Sequence, residues 1–230
     1  MDITKRQPAI LFLDRNSFDF FVSGAANALR FQFSDNVIAS LEIANMEALE
    51  NQIKVFVGQN SIPSARITMI LSSNVVFEKD FPETVPLEQK EEEAQKFWDS
   101  IPFEDINSKS IKLNNGERII AVNNNLCNAL KTSFEKIGFA IEMIVPYEAL
   151  GPDLWNITYL DPQNSREILK RVDSFKQYSF ELLGEENTMK NPQTSKDVLP
   201  PKKSPKVRLY IMAGVFIFLI VILAILLIKR

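Results

Sequence analysis

The chain has 230 residues, with 26 lysines and arginines against 29 aspartates and glutamates, and this weakly acidic balance gives no reason to expect nucleic acid as a partner. It contains no histidine and one cysteine, which excludes Ser-His-Asp and Cys-His nucleophile systems and metal sites built on histidine or paired thiolates. Cys127 cannot form an internal disulfide, which suits a reducing compartment. The 7 glycines are few for a protein that cradles phosphates in glycine-rich loops.

The N-terminal part of the chain predicts a small sheet. Ala9–Asp14 is a short apolar run, and Phe18–Ser23 and Asn27–Ser34 follow it across tight connections. Apolar and polar side chains alternate in the third run, as they do in a strand with one wet face. We therefore expect an antiparallel meander of three strands.

A helix and a buried strand follow this meander. We expect Asn45 to cap the helix and Gly58 to lie just past its last turn. The apolar face of the helix consists of Met46, Leu49, Ile53, Phe56 and Val57. Ala65–Ser72 is almost continuously apolar, which is typical of a strand covered on both faces.

The next stretch predicts a strand, a helix and two further strands. Asn74–Phe81 is strand-like, Glu88–Ser100 is helical, and the turn Asn114-Asn115-Gly116 joins the short strands Lys109–Leu113 and Arg118–Val122. The apolar stripe of the helix consists of Leu87, Ala94, Trp98 and Ile101, with Phe97 beside it. Three adjacent glutamates on the same helix point in three directions, so we expect them to be solvated and not to bind a metal.

The helix Leu126–Ile137 has a strong apolar face, with Asn125 as the expected cap and Gly138 at its end. We expect Cys127, beside that face, to be a buried structural thiol. Phe139–Val145 is a further strand, stopped by a proline.

The sequence patterns that indicate secondary structure are weaker after this strand. Asp161 and Pro162 make a good helix start. The apolar face that follows consists of Ile168, Leu169, Val172 and Phe175. Alternating apolar residues in Tyr178–Leu182 indicate that the piece ends as a strand, and whether 153–183 completes the body or forms its own contact stays open. Residues 184–207 are polar and proline-rich, as in a flexible linker.

The run from Leu209 to Ile228 contains twenty uncharged residues, enough for a helix to cross the roughly 30 Å hydrocarbon core of a bilayer. A basic cluster precedes it, formed by Lys202, Lys203, Lys206 and Arg208. Positive residues stay on the cytoplasmic side, so we expect a single-pass protein of the cytoplasmic membrane, with its body in the cytoplasm and its C-terminus outside. The expected division is a body at 1–183, a linker at 184–207 and an anchor at 208–230.

The order of these elements resembles the front half of the actin-like PilM family of type IV pilus assembly proteins and its membrane-anchored relative GspL of type II secretion. Residues 12–17 (FLDRNS) stand where the family has a strand ending in Asp-x-Gly-Ser, its first phosphate loop. Three further pieces resemble family segments: 67–81, 91–103 and 119–150. The resemblance covers about 140 residues through short motifs in a shared order.

The resemblance implies an α/β (α+β) fold: a truncated actin-like, ribonuclease H-like lobe with a strand-helix-strand-strand insert at about 74–122, plus one C-terminal transmembrane helix. Family members that bind ATP hold it between two lobes, and no second lobe follows Leu150 here. The degenerate phosphate loop keeps Asp14 and Ser17 but carries Asn16 in place of a glycine. We therefore expect no bound nucleotide or other cofactor and no catalysis.

Function follows from the same resemblance. We expect a scaffold of a pilus or secretion platform that binds other subunits through its lobe, with self-association left open. In the family, a short N-terminal peptide of a membrane partner (PilN in the pilus system) lies between the insert and the main lobe. The expected lining of this groove here is Phe97, Trp98 and Phe103.

Two other functions are weighed against the scaffold. One is an enzyme, either an actin-like ATPase or a hydrolase using Asp14, Asp19 or Asp35, although nothing in the sequence fixes the separation of these carboxylates. The other is a cell-division adaptor related to FtsA, whose relatives keep both lobes and attach through an amphipathic helix.

Overall fold

A five-stranded sheet lies at the centre of residues 6–180, the part of the chain that the computed structural model describes. From N- to C-terminus the elements are β1 Gln7–Leu13, β2 Ser17–Val22, β3 Leu29–Gln32, β4 Ile38–Ala39, β5 Glu42–Ile43, α1 Met46–Gln59, β6 Ala65–Leu71, β7 Val76–Pro82, α2 Leu87–Ser100, β8 Ile106–Leu113, β9 Gly116–Asn123, α3 Asn124–Lys136, β10 Ala140–Pro146, a 3-10 turn Tyr147–Leu150, α4 Pro162–Arg171 and a 3-10 helix Val172–Tyr178.

The central sheet has the order β10-β6-β1-β2-β3. β1, β2 and β3 are antiparallel neighbours, which confirms the predicted meander, whereas β1, β6 and β10 run parallel to one another. β6 is buried between two parallel neighbours, as its continuous apolar sequence predicts. The fold is therefore mixed α/β.

Helices cover both faces of this sheet. Leu11 of β1 and Phe18 of β2 point towards α1 and α3, where Phe134 lies among several aromatic rings. Ile10 and Phe12 point to the opposite face, which α4 and the 3-10 helix cover. Residues up to Phe180 thus complete the body, which answers the question that the sequence leaves open for this segment.

The predicted insert is present between β6 and α3. Its strands form a separate sheet of order β7-β9-β8, and α2 connects β7 to β8. The hairpin between β8 and β9 turns at Asn114 and Asn115, and Gly116 is the first residue of β9. A Cβ at Gly116 would lie 2.2 Å from the carbonyl oxygen of Phe81, so the close approach of β7 requires glycine here.

Several helix ends differ from their predicted positions. Asn123, and not Asn125, caps α3: its Oδ1 accepts hydrogen bonds from the backbone N–H groups of Asn125 and Leu126. Asn45 caps α1 as predicted, but Gly58 lies inside that helix, which Asn60 ends. Leu87, expected on the apolar stripe of α2, is 70% exposed because it occupies the first position of the helix.

Two local structures were not predicted from the sequence. β4 and β5 form a two-stranded hairpin between β3 and α1, too short to show a periodicity. At the start of the expected strand, Tyr178 ends a 3-10 helix, and residues 181–182 lie outside the described part of the chain. The N–H of Phe180 donates to the carbonyl of Ile144 on the edge strand β10 (2.8 Å). The predictions for the linker, the basic cluster and the span fall outside residues 6–180. No helix within that range is long and apolar enough to cross a membrane.

Candidate functional site

The turn between β1 and β2 stands where the sequence places the degenerate phosphate loop. The N–H of Asp14 donates to the carbonyl of Ser17 at 2.8 Å, which closes the turn. The carbonyl of Asn16 accepts from the N–H of Phe33 and from Nε2 of Gln32, both at 2.9 Å. Asn16 is not among the described residues with positive φ, so this turn does not adopt the left-handed backbone that requires glycine.

The carboxylate of Asp14 accepts hydrogen bonds from other side chains of the same chain. Its Oδ1 accepts hydrogen bonds from Ser72 Oγ and Asn74 Nδ2, both at 2.8 Å. Burial raises the pKa of Asp14, but hydrogen bonds from Asn74, the Arg15 backbone and Ser72 outweigh it and leave the pKa below its ordinary value. Asp14 therefore fastens the segment in which the chain leaves β6 for the insert.

Two polar residues of β2, Ser17 and Asp19, also contact other residues of the chain. Ser17 is 1% exposed, and its Oγ accepts from Arg30 Nη2 at 3.2 Å. Burial raises the pKa of Asp19, although its Oδ2 accepts from the backbone N–H of Leu160 at 2.8 Å and Arg30 lies 3.8 Å from Oδ1. These contacts hold the start of the C-terminal segment against the sheet. Asp35, the third carboxylate of the enzyme hypothesis, is exposed on the loop after β3.

The aromatic residues expected to line a partner groove are mostly inside the insert. Trp98 is 1% exposed and Phe103 is 4% exposed, and Phe103 packs edge-on against Phe77 with ring centres 5.6 Å apart. Phe97 is half-buried, with its ring centre 4.9 Å from that of Trp98. Trp98 and Phe103 thus contribute to the core, and Phe97 is the member of the three with accessible surface.

Cys127 is buried on α3, as predicted, and burial raises the pKa of its thiol to about 12. A thiol in this environment stays protonated and unreactive at neutral pH. Within residues 6–180 no three metal-ligating side chains of the His, Cys, Asp or Glu type approach one another as a metal site requires.

A charged cluster that the sequence did not single out lies where the insert meets the main body. We call it the insert junction: Glu78 and Asp80 of β7, Arg118 of β9, and Tyr147 and Glu148 of the 3-10 turn. Alternation along β7 places Glu78 and Asp80 on one face, and the antiparallel register of β7 and β9 sets Arg118 opposite Asp80. The alternation was readable from the sequence, but the pairing of β7 with β9 and the approach of Glu148 depend on tertiary structure.

An open cavity of about 530 Å³ lies between the sheet and the C-terminal 3-10 helix. Its charged side chains neutralise one another: Arg66 lies 3.1 Å from Glu142, and Lys176 lies 2.9 Å from Asp173. These pairs leave the cavity without an evident charge preference for a ligand.

No protein-family model matches the chain, and no curated protein matches it at a significant level. Among solved structures, a PilM–PilN type IV pilus biogenesis complex aligns with a TM-score of 0.42 and 15% identity, over 63% of this chain and 48% of that chain. The cytoplasmic domain of EpsL, an inner-membrane component of the type II secretion system of Vibrio cholerae, aligns with a TM-score of 0.38 and 14% identity, over 64% and 59%. A Bacteroides thetaiotaomicron protein of unknown function with an actin-like ATPase fold aligns with a TM-score of 0.37 and 15% identity, over 65% and 56%. The chain thus spans about half to three fifths of the length of each of these structures.

Proposed function

We propose that this chain is a membrane-anchored, non-catalytic scaffold of a type IV pilus or type II secretion-like assembly platform, built on one actin-like lobe. It binds partner subunits through that lobe, and the apolar run from Leu209 to Ile228 holds it at the cytoplasmic membrane. The partner we propose is a membrane subunit with a short cytoplasmic peptide, comparable with PilN.

The arrangement of the insert supports the actin-like part of this proposal. The resemblance implies a strand-helix-strand-strand insert at about 74–122. β7, α2, β8 and β9 have that order and lie between β6 and β10, joined to the latter by α3. These elements occupy residues 76–123.

The observation that carries the non-catalytic part is the β1–β2 turn. A phosphate loop presents free backbone N–H groups and a free carboxylate to the nucleotide and its metal. Here Asp14 is held by Ser72 and Asn74, Ser17 is buried, and the carbonyl of Asn16 is bound by β3. The turn performs a structural task, which favours a binding protein over an ATPase.

The surface of the insert is the proposed recognition surface. Leu87 at the start of α2 is 70% exposed, the largest exposed fraction among the large apolar side chains of the described residues. Phe97 adds a half-buried ring on the same helix. Attachment to a membrane raises the effective concentration of other anchored subunits, so contacts that are weak in solution suffice.

Photo-crosslinking in native membranes tests the proposal. A photoreactive phenylalanine analogue at position 87 should capture subunits of a pilus or secretion platform. The matched control is position 55, where Val55 is 52% exposed on α1 of the main body. Equal capture from both positions, or capture of a tubulin-like division protein at position 87, would contradict the proposal.

A further inference from the structure

The insert junction adds a few polar contacts to the hydrophobic core that the insert shares with the main body. The hydroxyl of Tyr147 donates to Glu78 Oε2 at 3.0 Å, and Arg118 Nη1 donates to the same oxygen at 3.2 Å. Arg118 Nη1 also lies 3.6 Å from Oε1 of Glu148. The Tyr147–Glu78 and Arg118–Glu148 contacts cross from the insert to the 3-10 turn after β10, so the state of this cluster affects how firmly these two segments hold together.

The charges of the junction do not balance when every carboxyl group is ionised. Glu78, Asp80 and Glu148 carry three negative charges against one guanidinium, and Asp80 engages that guanidinium through two hydrogen bonds of 2.5 and 2.8 Å. The side chain of Glu148 is 6% exposed, and both of its carboxyl oxygens are buried without a hydrogen-bond donor. A buried carboxylate in this situation is costly, and a proton removes the cost.

We propose that the insert junction is a proton-operated latch: Glu148 holds a proton while the junction is closed, and loss of that proton leaves an unpaired buried carboxylate that weakens the contact between the insert and the 3-10 turn. Burial and the neighbouring carboxyl group of Glu78 raise the pKa of Glu148 to about 8, which agrees with the geometry. The latch is inferred from these contacts alone and does not depend on the proposed platform role.

A proton fits this site better than a metal cation does. The oxygens of Glu148 are closed to solvent, and the guanidinium of Arg118 already lies beside them. The groups facing Glu148 are Glu78 of β7, Arg118 of β9 and the phenol of Tyr147, whose own pKa is raised by burial and by Glu148 and Glu78. The indole N–H of Trp155 donates to the backbone carbonyl of Glu148 at 3.2 Å and covers the turn from the other side.

The sign of the pH dependence follows from this environment. The docked state raises the pKa of Glu148 to about 8 from an ordinary value of 4.5, so docking takes up a proton between these two values. Docking is therefore strongest below pH 4.5, weakens as pH rises, and stops weakening above pH 8. Within this window the equilibrium constant for opening should rise about tenfold for each pH unit.

Hydrogen–deuterium exchange of the full-length chain in detergent tests the latch, with rates corrected for the intrinsic pH dependence of exchange. We expect the opening constant of the Gly151 amide, which donates to the carbonyl of Glu148 in the 3-10 turn, to rise about a hundredfold from roughly pH 5.5 to 7.5 in the natural protein. Glu148→Gln, which is neutral at every pH, should abolish this rise. Glu142→Gln on β10, an exposed carboxylate paired with Arg66, is the matched control and should retain it.

Three results would overturn the latch: a flat response in the natural protein, an undiminished rise in Glu148→Gln, or an equal rise at amides of β1, which would indicate general loosening. If Glu148→Gln does not fold, carboxyl-carbon NMR of the natural protein decides. A glutamate titrating with a midpoint near pH 8 supports the proposal, and titration of every glutamate below about pH 6 contradicts it.

Discussion

Replacing Asp14 by alanine should destabilise the body, although the sequence resemblance predicts only a degenerate phosphate loop at this position. The change removes the acceptor for Ser72 Oγ and Asn74 Nδ2, both 2.8 Å away. Hydrogen bonds to a charged group contribute about 1.5–3 kcal/mol each when buried, and the partial exposure of Asp14 reduces this, so we expect a total loss of about 2 kcal/mol. Asp14→Asn keeps an acceptor without the charge and should lose about 1 kcal/mol.

Urea unfolding of the full-length chain, followed by the fluorescence of the buried Trp98 and the partly exposed Trp155, measures these losses. Hydrogen bonds lower the pKa of Asp14, so its contribution is present above the ordinary value of 3.8 and disappears as pH falls through the lowered value. The difference between the natural protein and Asp14→Ala should shrink accordingly in acid. Glu92→Ala on α2, where Glu92 pairs only with Lys96 on the surface, should change stability by less than about 0.5 kcal/mol. An Asp14→Ala protein as stable as this control would refute the structural task of the carboxylate.

Three further experiments test how the body is packed. Phe134→Ala removes a fully buried ring that packs against Phe18, Phe20 and Phe139, and should lower the free energy of unfolding by about 3–5 kcal/mol in the same urea assay. Gly116→Ala places a Cβ against the β7 backbone and should cost about 2 kcal/mol or more, seen as a lower melting temperature than that of an alanine at the open position Gly58. Cys127 should resist a thiol reagent in the native protein at neutral pH and react fully in denaturant, and rapid native labelling would contradict its burial.

Local sequence patterns predicted most elements because their causes are local. Alternation along β3 and continuous apolarity in β6 identified strands, and Asn45 identified the start of α1. At α3 three consecutive asparagines offer equivalent caps to a local argument. Asn123 is selected because its Nδ2 also donates to the carbonyl of Leu41, a contact 82 residues away in sequence.

Properties of the site depended on contacts distant in sequence and could not be predicted in the same way. An aromatic residue of the insert can face a groove or the core. For Phe103, the packing against Phe77 places the ring in the core. The sequence singled out Asp14, but its hydrogen-bond partners lie about 60 residues later. Glu148 could not be identified as unusual, because its environment is created by Glu78 and Arg118 on the insert.

The central claim, that the chain is a binding scaffold and not a nucleotide enzyme, is tested most directly by calorimetric titration of the full-length protein with ATP and magnesium. We predict no saturable binding at ATP concentrations up to about 1 mM, which corresponds to an affinity weaker than about −4 kcal/mol. Saturable binding in the natural protein that Asp14→Ala abolishes, while Glu92→Ala retains it, would contradict the claim.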